Sequence, residues 1–103
     1  MSQQLFIHHV FFYLKNPESV ADKNTLLEGL HLLATIECIQ FSNIGTPAAT
    51  NRAVIKTDYT YSWICFFNSP EEEEIYQNHP THDLFRNNYG HLWEKVVIYD
   101  SIG

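Results

Sequence analysis

Four stretches of the chain carry the apolar, aromatic and β-branched residues that are typical of β-strands. They predict strands over residues 5–14, 36–44, 59–67 and 93–100. The segment GTPAATNRAVIKTD, residues 45–58, connects the second strand to the third. A connection of this length in so small a chain is typical of functional or mobile loops.

Both faces of the first predicted strand are mostly apolar. Side chains alternate between the faces of a strand, so Val10 and Phe12 point to one side and Phe11 and Tyr13 to the other. Helices on one side of a sheet leave the other side exposed to water, and apolar side chains there indicate a second protein surface. The pattern therefore predicts a homodimer that covers the free face of the sheet.

Helical features occur between these strands. Residues 19–35 place leucines at helical spacing, and Ser19 is their predicted cap. Ser69, followed by a proline and glutamates, is a strong helix start. A further helical segment is predicted over Pro80–Tyr89, and Gly90 is its expected end.

The resulting order of elements is β, α, β, β, α, β. Two β-α-β units in this order form a ferredoxin-like α+β sandwich, in which a four-stranded antiparallel sheet carries its helices on one face. The chain has 103 residues, and a single domain over 1–103 is expected for this length.

The net charge of the chain, its apolar runs and its two cysteines indicate which partners and which cellular compartment to expect. Twelve Asp and Glu residues against six Lys and Arg residues give a net charge of −6, which repels phosphate backbones, so no nucleic-acid partner is expected. The apolar runs are too short to span a membrane and no leader segment is recognisable, which predicts a cytoplasmic protein. Cys38 and Cys65 lack metal-ligand spacing and are expected to be reduced, close together in the hairpin of the second and third strands.

The segment YQNHPTH, residues 76–82, points most directly to chemistry. Pro80 fits the first position of a helix, which puts His79 at the cap and His82 in the first turn. Tyr76 ends the preceding helix, so a tight corner is expected to bring its hydroxyl toward the His82 ring. A phenol and an imidazole in this arrangement can act as an acid–base pair.

The start HHVFFYLK, the corner YQNHPTH and the end LWEKVVIYD together resemble the Dabb family, the stress-responsive dimeric α+β barrel domains. The resemblance covers nearly the whole chain. It implies a homodimer whose two sheets face each other as a barrel, with a small pocket between sheet and helices in each subunit. The family includes plant stress proteins and a polyketide cyclase branch, so the resemblance also implies a small aromatic or polyketide-like ligand.

In the cyclase branch, the Tyr and the second His of a Y-x-x-H-P-x-H corner are the catalytic pair, and the resemblance carries these roles to Tyr76 and His82. It also implies pocket residues on the first strand and at the start of the last one: His8, Val10, Phe12 and Trp93. Further substrate-binding candidates shape the pocket or flank the corner: Leu30, Trp63 and His79. His79 has a structural alternative as a helix cap, and the loop 45–58 departs from the shorter, charged loop of the cyclases.

Two functional hypotheses stay open at this point. In the first, the protein is a cofactor-independent lyase, isomerase or cyclase, in which His82 removes a proton next to a carbonyl group and Tyr76 hydrogen-bonds the carbonyl oxygen. In the second, it is a noncatalytic stress-response or ligand-binding protein whose Tyr–His pair is structural. The six histidines lack metal-ligand spacing, so neither a metal nor another cofactor is expected.

Overall fold

The computed structural model describes residues 4–103, in which a four-stranded sheet carries helices on one face. The strands are β1 (Phe6–Leu14), β2 (Phe41–Gly45), β3 (Tyr61–Phe67) and β4 (Trp93–Ile102). The helices are α1 (Val20–Leu33), α2 (Pro70–Gln77) and α3 (Pro80–Tyr89), and the 3₁₀ turn Gly90–Leu92 leads into β4. None of the helices in this described part is long and apolar enough to cross a membrane.

The strand order in the sheet is β2-β3-β1-β4, and all neighbouring strands are antiparallel. The two central strands, β1 and β3, are also the strands with apolar residues on both faces. Their pairing runs from Phe6 opposite Phe67 to Phe12 opposite Tyr61. This topology is the ferredoxin-like βαββαβ fold, so the predicted α+β fold class is confirmed.

The alternation along β1 separates a buried face from a half-buried face. His8, Val10 and Phe12 point toward the helices and are buried, together with residues of α1 and α3 that complete the core. The side chains between them point to the opposite side of the sheet. We call that side the open face, which includes Phe11, Phe41, Ile64, Phe66 and Tyr99.

Side-chain caps fix the starts of α2 and α3. The Ser69 hydroxyl accepts a hydrogen bond from the Glu72 N–H at 3.2 Å, and the Glu72 carboxylate accepts one from the Asn68 N–H at 2.7 Å. At the start of α3, His79 Nδ1 accepts a hydrogen bond from the Thr81 N–H at 3.0 Å. These bonds satisfy backbone donors that a helix start leaves free, so both predicted helix starts are confirmed.

Helices α1 and α3 approach closely because Gly29 has no side chain. A Cβ atom at Gly29 would lie 2.8 Å from the Cγ and Cδ2 atoms of the Tyr89 ring, well inside an ordinary carbon–carbon contact. Glycine lowers the stability of a helix interior by about 1 kcal/mol relative to alanine. Here that loss allows the end of α3 to pack onto α1.

The prediction of a second strand over 36–44 is wrong in its first half, because β2 begins at Phe41. The residues before it form turns, in which the Ile36 N–H donates to the Leu33 carbonyl at 3.1 Å and the Ile39 N–H to the Ile36 carbonyl at 3.2 Å. These local bonds use the backbone groups that a strand would pair with its neighbour. Ile36 is buried because it joins the core, so its apolar character reflects packing rather than strand pairing.

The sequence predicts that Cys38 and Cys65 lie close together in the β2–β3 hairpin. Cys38 instead lies before this hairpin. The register places Ser42 opposite Cys65. The Cys38 thiol donates to the backbone carbonyl of Glu72 at 3.4 Å, and both cysteines are free thiols. Cys38 and Cys65 are therefore not a cross-strand pair of this hairpin.

Candidate functional site

A cavity of about 160 Å³ lies between the sheet and α3. Its walls are mostly apolar and aromatic, and they come from three strands as well as from the helices. Most of the predicted site residues line it: His8, Val10, Phe12, Trp63, Tyr76, His82 and Trp93. The fold thus brings residues from both ends of the chain to the 76–82 corner.

Two predicted site residues lie away from this cavity. Leu30 is fully buried in the core on α1. The His79 ring holds the start of α3 through Nδ1, and its Nε2 lies 3.2 Å from Oε1 of the exposed Glu37 carboxylate. Leu30 supports the core and His79 caps a helix, as its structural alternative implies.

The Tyr76 and His82 rings are in contact, but the Tyr76 hydroxyl is directed elsewhere. The ring centroids are 4.7 Å apart, with an angle of 79° between the planes. The hydroxyl accepts a hydrogen bond from Trp63 Nε1 at 2.9 Å. Burial also raises the pKa of Tyr76 far above its usual range, which keeps the phenol protonated. The two rings are therefore close, whereas the hydroxyl, which the sequence predicts to approach the His82 ring, bonds to Trp63 Nε1.

His82 is a buried, neutral imidazole on the cavity wall. Burial, and then the nearby Arg86 guanidinium, lowers the pKa of His82 to about 4. Among residues 4–103, its Nδ1 is the buried side-chain nitrogen or oxygen that lacks a hydrogen-bond partner. Buried polar groups are nearly always hydrogen-bonded. A bound molecule in the cavity would supply the partner that this nitrogen lacks.

His8 is a second buried histidine on the wall, and a carboxylate orients its ring. The distance from His8 Nδ1 to Asp100 Oδ1 is 2.6 Å. A carboxylate only accepts hydrogen bonds, so Nδ1 carries the proton and Nε2 is the acceptor nitrogen. A second carboxylate oxygen, Oε2 of Glu73, lies 3.9 Å from the same Nδ1. A histidine with its tautomer fixed in this way is suited to act as a general base.

The sequence pattern does not single out Asp100, because its pairing with His8 depends on the register of β1 against β4. In the observed register the two residues are directly opposite, and both point toward the helices. An irregularity between Tyr13 and Leu14 shifts the pairing near the start of β4, so counting from that strand end gives a wrong partner. The sequence does indicate that Asp100 lies on the same face of the last strand as Ile98, and Ile98 lines the cavity.

Arg86 and Gln77 line the cavity at the α2–α3 corner and are absent from the predicted site. The Arg86 guanidinium donates to Gln77 Oε1 at 2.8 Å and to the Gln77 carbonyl at 3.4 Å, and it also donates to Asp83 Oδ1 at 3.3 Å. Its side chain is 47% exposed, which places it at the mouth. The sequence could have indicated Arg86, because it lies one helical turn after His82 and therefore on the same side of α3.

We expect Tyr76→Phe to lower the free energy of unfolding by about 1–3 kcal/mol, because it leaves the buried Trp63 N–H without an acceptor. Urea unfolding at pH 7 measures the change. Tyr89→Phe is the matched control: the Tyr89 ring packs on Gly29 and Phe85, and this contact survives loss of the hydroxyl. Equal stability of Tyr76→Phe and wild type would contradict a structural role for the Tyr76 hydroxyl.

Fold and cavity together define a class, the ferredoxin-like α+β domains with an aromatic cavity between sheet and helices. Within the described residues, no group of three or more His, Cys, Asp or Glu side chains could hold a metal ion. The Stress responsive A/B Barrel Domain family, Dabb, matches residues 6–102. The chain belongs to this family, as its sequence motifs indicate, and the polyketide cyclase branch stays a prediction.

Solved structures with the same fold come from bacteria and plants. A Dabb family protein with a ferredoxin-like fold from Mesorhizobium loti has a TM-score of 0.80 at 20% identity, covering 98% of each chain. A hydroxynitrile lyase from Passiflora edulis has a TM-score of 0.78 at 21% identity, covering 99% of this chain and 95% of the other. A dimeric ferredoxin-like protein of unknown function from Thermobifida fusca has a TM-score of 0.76 at 14% identity, covering 98% and 92%. No curated protein matches the chain.

Proposed function

We propose that this protein binds a ring-sized carbonyl compound in the cavity and removes a proton from the carbon next to the carbonyl group, as a cofactor-independent lyase, isomerase or cyclase. The observation that carries the proposal is the hydrogen bond of 2.6 Å between His8 Nδ1 and Asp100 Oδ1 at the cavity wall. The volume of about 160 Å³ fits the ligand size, since an apolar cavity of about 150 Å³ accepts benzene.

In this proposal His8 is the general base and Asp100 is a positioning residue. Asp100 keeps the proton on Nδ1, so Nε2 accepts the proton that leaves the substrate. The imidazolium that forms is stabilised by Asp100 and by Glu73, whose carboxylate oxygens lie 2.6 and 3.9 Å from Nδ1. We assign the base role to His8 and not to His82, which the sequence suggests, because a carboxylate lies at hydrogen-bond distance from His8.

His82 then stabilises the carbonyl oxygen. Its ring is neutral, because burial lowers its pKa to about 4, and its buried Nδ1 has no partner in the described chain. A proton on Nδ1 can therefore be donated to the oxygen as the enolate charge develops. Tyr76 supports the site because its hydroxyl accepts the hydrogen bond from Trp63 Nε1.

The likeness to a hydroxynitrile lyase supports lyase chemistry on this fold. A second candidate function is noncatalytic ligand binding. The bond from Trp63 Nε1 to the Tyr76 hydroxyl favours it, because it gives the predicted catalytic tyrosine a structural role. Both candidates use the same cavity, so an activity measurement separates them.

Exchange of the methyl protons of acetophenone for deuterium, followed by proton NMR in D₂O, tests the proposal. We expect the wild-type protein to accelerate the exchange in proportion to its concentration, because the reaction needs only a base and a hydrogen bond to the oxygen. His8→Gln should reduce the catalysed rate about 100-fold or more. Asp100→Ala, a change to a half-exposed side chain, should reduce it in part because His8 loses its orientation.

His31→Gln is the matched control, since His31 is an exposed histidine on α1, and it should exchange acetophenone at the wild-type rate. Acetophenone that raises the melting temperature but exchanges at the buffer rate would support noncatalytic ligand binding. Absence of both binding and exchange would contradict both candidate functions.

We further propose that the protein is a homodimer built on the open face. Phe11 forms an aromatic cluster there, with ring centroids 4.3 Å from His9, 4.9 Å from Tyr59 and 6.2 Å from Tyr99. Tyr99 is 66% exposed and Phe41 is 57% exposed. Apolar patches of this kind mark interaction sites. The similar protein from Thermobifida fusca is dimeric, which supports a homodimer here.

A further inference from the structure

We infer that the cavity selects ligands that carry a carboxylate, which Arg86 binds at the mouth while the rest of the molecule lies among the aromatic side chains. The inference rests on the proposed function, because it names the substrate class of the same cavity. That class is ring-sized carbonyl compounds that also bear a carboxylate group.

Arg86 is the only lysine or arginine among the cavity-lining residues of the described chain. Its three hydrogen bonds go to Gln77 Oε1, the Gln77 carbonyl and Asp83 Oδ1. A guanidinium has five N–H donors in a planar fork, so two donors remain after these bonds. Paired guanidinium donors match the two oxygens of a carboxylate.

Asp83 competes only weakly with a ligand carboxylate for the Arg86 guanidinium. The Arg86 and Asp83 side chains are 47% and 62% exposed, and an exposed ion pair of this kind contributes little to stability. A ligand carboxylate at the mouth therefore competes for the Arg86 charge with an exposed partner and not with a buried one. Gln77 remains available to hold the guanidinium at the corner.

The charge at the His8 end of the cavity has the opposite sign and orients the ligand. Asp100 and Glu73 both lie beside His8, so this end repels a carboxylate. A ligand with one carboxylate and one carbonyl group then binds with its charge toward Arg86 and its carbonyl toward His8. Phe85 and Trp93, stacked with centroids 5.4 Å apart, provide an apolar wall for the ring. The electrostatics thus favour the orientation that proton removal by His8 requires.

Binding of benzoate and benzamide, which have the same size and differ in charge, tests the inference. We expect the wild-type protein to bind benzoate about tenfold more tightly than benzamide, the effect of a charge-assisted hydrogen bond. Arg86→Gln should abolish this preference, so that the variant binds the two ligands with equal affinity. Arg52→Gln is the matched control, because Arg52 is exposed in the long loop and lies outside the cavity, and it should keep the preference.

A measurement on the wild-type protein alone covers the case in which Arg86→Gln fails to fold. Benzoate, and not benzamide, should shift the Arg86 Nε–H resonance in a ¹⁵N–¹H spectrum. An unshifted resonance, equal affinities for the two ligands, or a preference that survives in Arg86→Gln would each overturn the inference. Acetophenone is uncharged, so its exchange assay judges the proposed function independently of Arg86.

Discussion

Between pH 7 and pH 4, the wild-type protein is expected to lose about 3 kcal/mol more unfolding free energy than a His82→Gln variant. Burial lowers the pKa of His82 from 6.5 to about 4 in the folded state, while the unfolded chain keeps the ordinary value. Between these pH values the unfolded state binds more protons, so stability falls as the pH falls. The gap of about 2.5 pH units, at about 1.4 kcal/mol for each, accounts for the magnitude.

Urea unfolding of both proteins at several pH values between 4 and 7.5 measures the difference. The loss should begin below pH 6.5 and be nearly complete at pH 4, where the folded state also binds the proton. Burial lowers the pKa of His9 as well, so the informative quantity is the difference between wild type and variant. His31→Gln, at an exposed position, should follow the wild-type profile. Parallel profiles for wild type and His82→Gln would contradict a buried, neutral His82.

The sequence predicts the fold well because its signals are local. Ser19 and Ser69 cap helices as their residue types indicate, His79 caps α3 as the following proline predicts, and alternation reveals the two faces of β1. The prediction fails where an apolar residue is buried without pairing, as at Ile36 before β2. Hydrophobicity reports burial, and it does not distinguish a strand from a turn packed on the core.

Most of the cavity wall is also predictable, since Tyr76 and His82 lie in one short segment and the family resemblance points to His8. The polar groups that set the chemistry are harder to predict from the sequence, because their contacts join residues that are far apart in the chain. Asp100 reaches His8 only through the β1–β4 register, and Trp63 reaches the Tyr76 hydroxyl only through packing between β3 and α2. The sequence does not reveal that the Tyr76 hydroxyl accepts a hydrogen bond from Trp63 Nε1.

The open face should form the interface of a dimer, and one acidic substitution on this face should disrupt the dimer. We expect the wild-type protein to scatter light at about twice the 12.0 kDa chain mass, and Phe11→Glu to scatter as a monomer. In a two-fold symmetric dimer one substitution occurs on both sides of the interface. Two carboxylates would then be buried without partners. A penalty of about 3 kcal/mol or more corresponds to at least about a hundredfold rise in the dissociation constant.

Val20→Glu is the matched control for this change, because Val20 is a 68% exposed apolar residue at the start of α1, away from the open face. A carboxylate is favourable in the first turn of a helix, so this variant should stay dimeric and stable. The Phe11 side chain lies on the sheet face opposite the cavity, so the Phe11→Glu monomer should keep its fold and its His8–Asp100 bond. A wild-type protein that remains monomeric at high concentration, or a Phe11→Glu variant that remains dimeric, would contradict the open face as the interface. In either case the apolar residues of that face would need another partner, because an aromatic cluster exposed on one side of a sheet favours association.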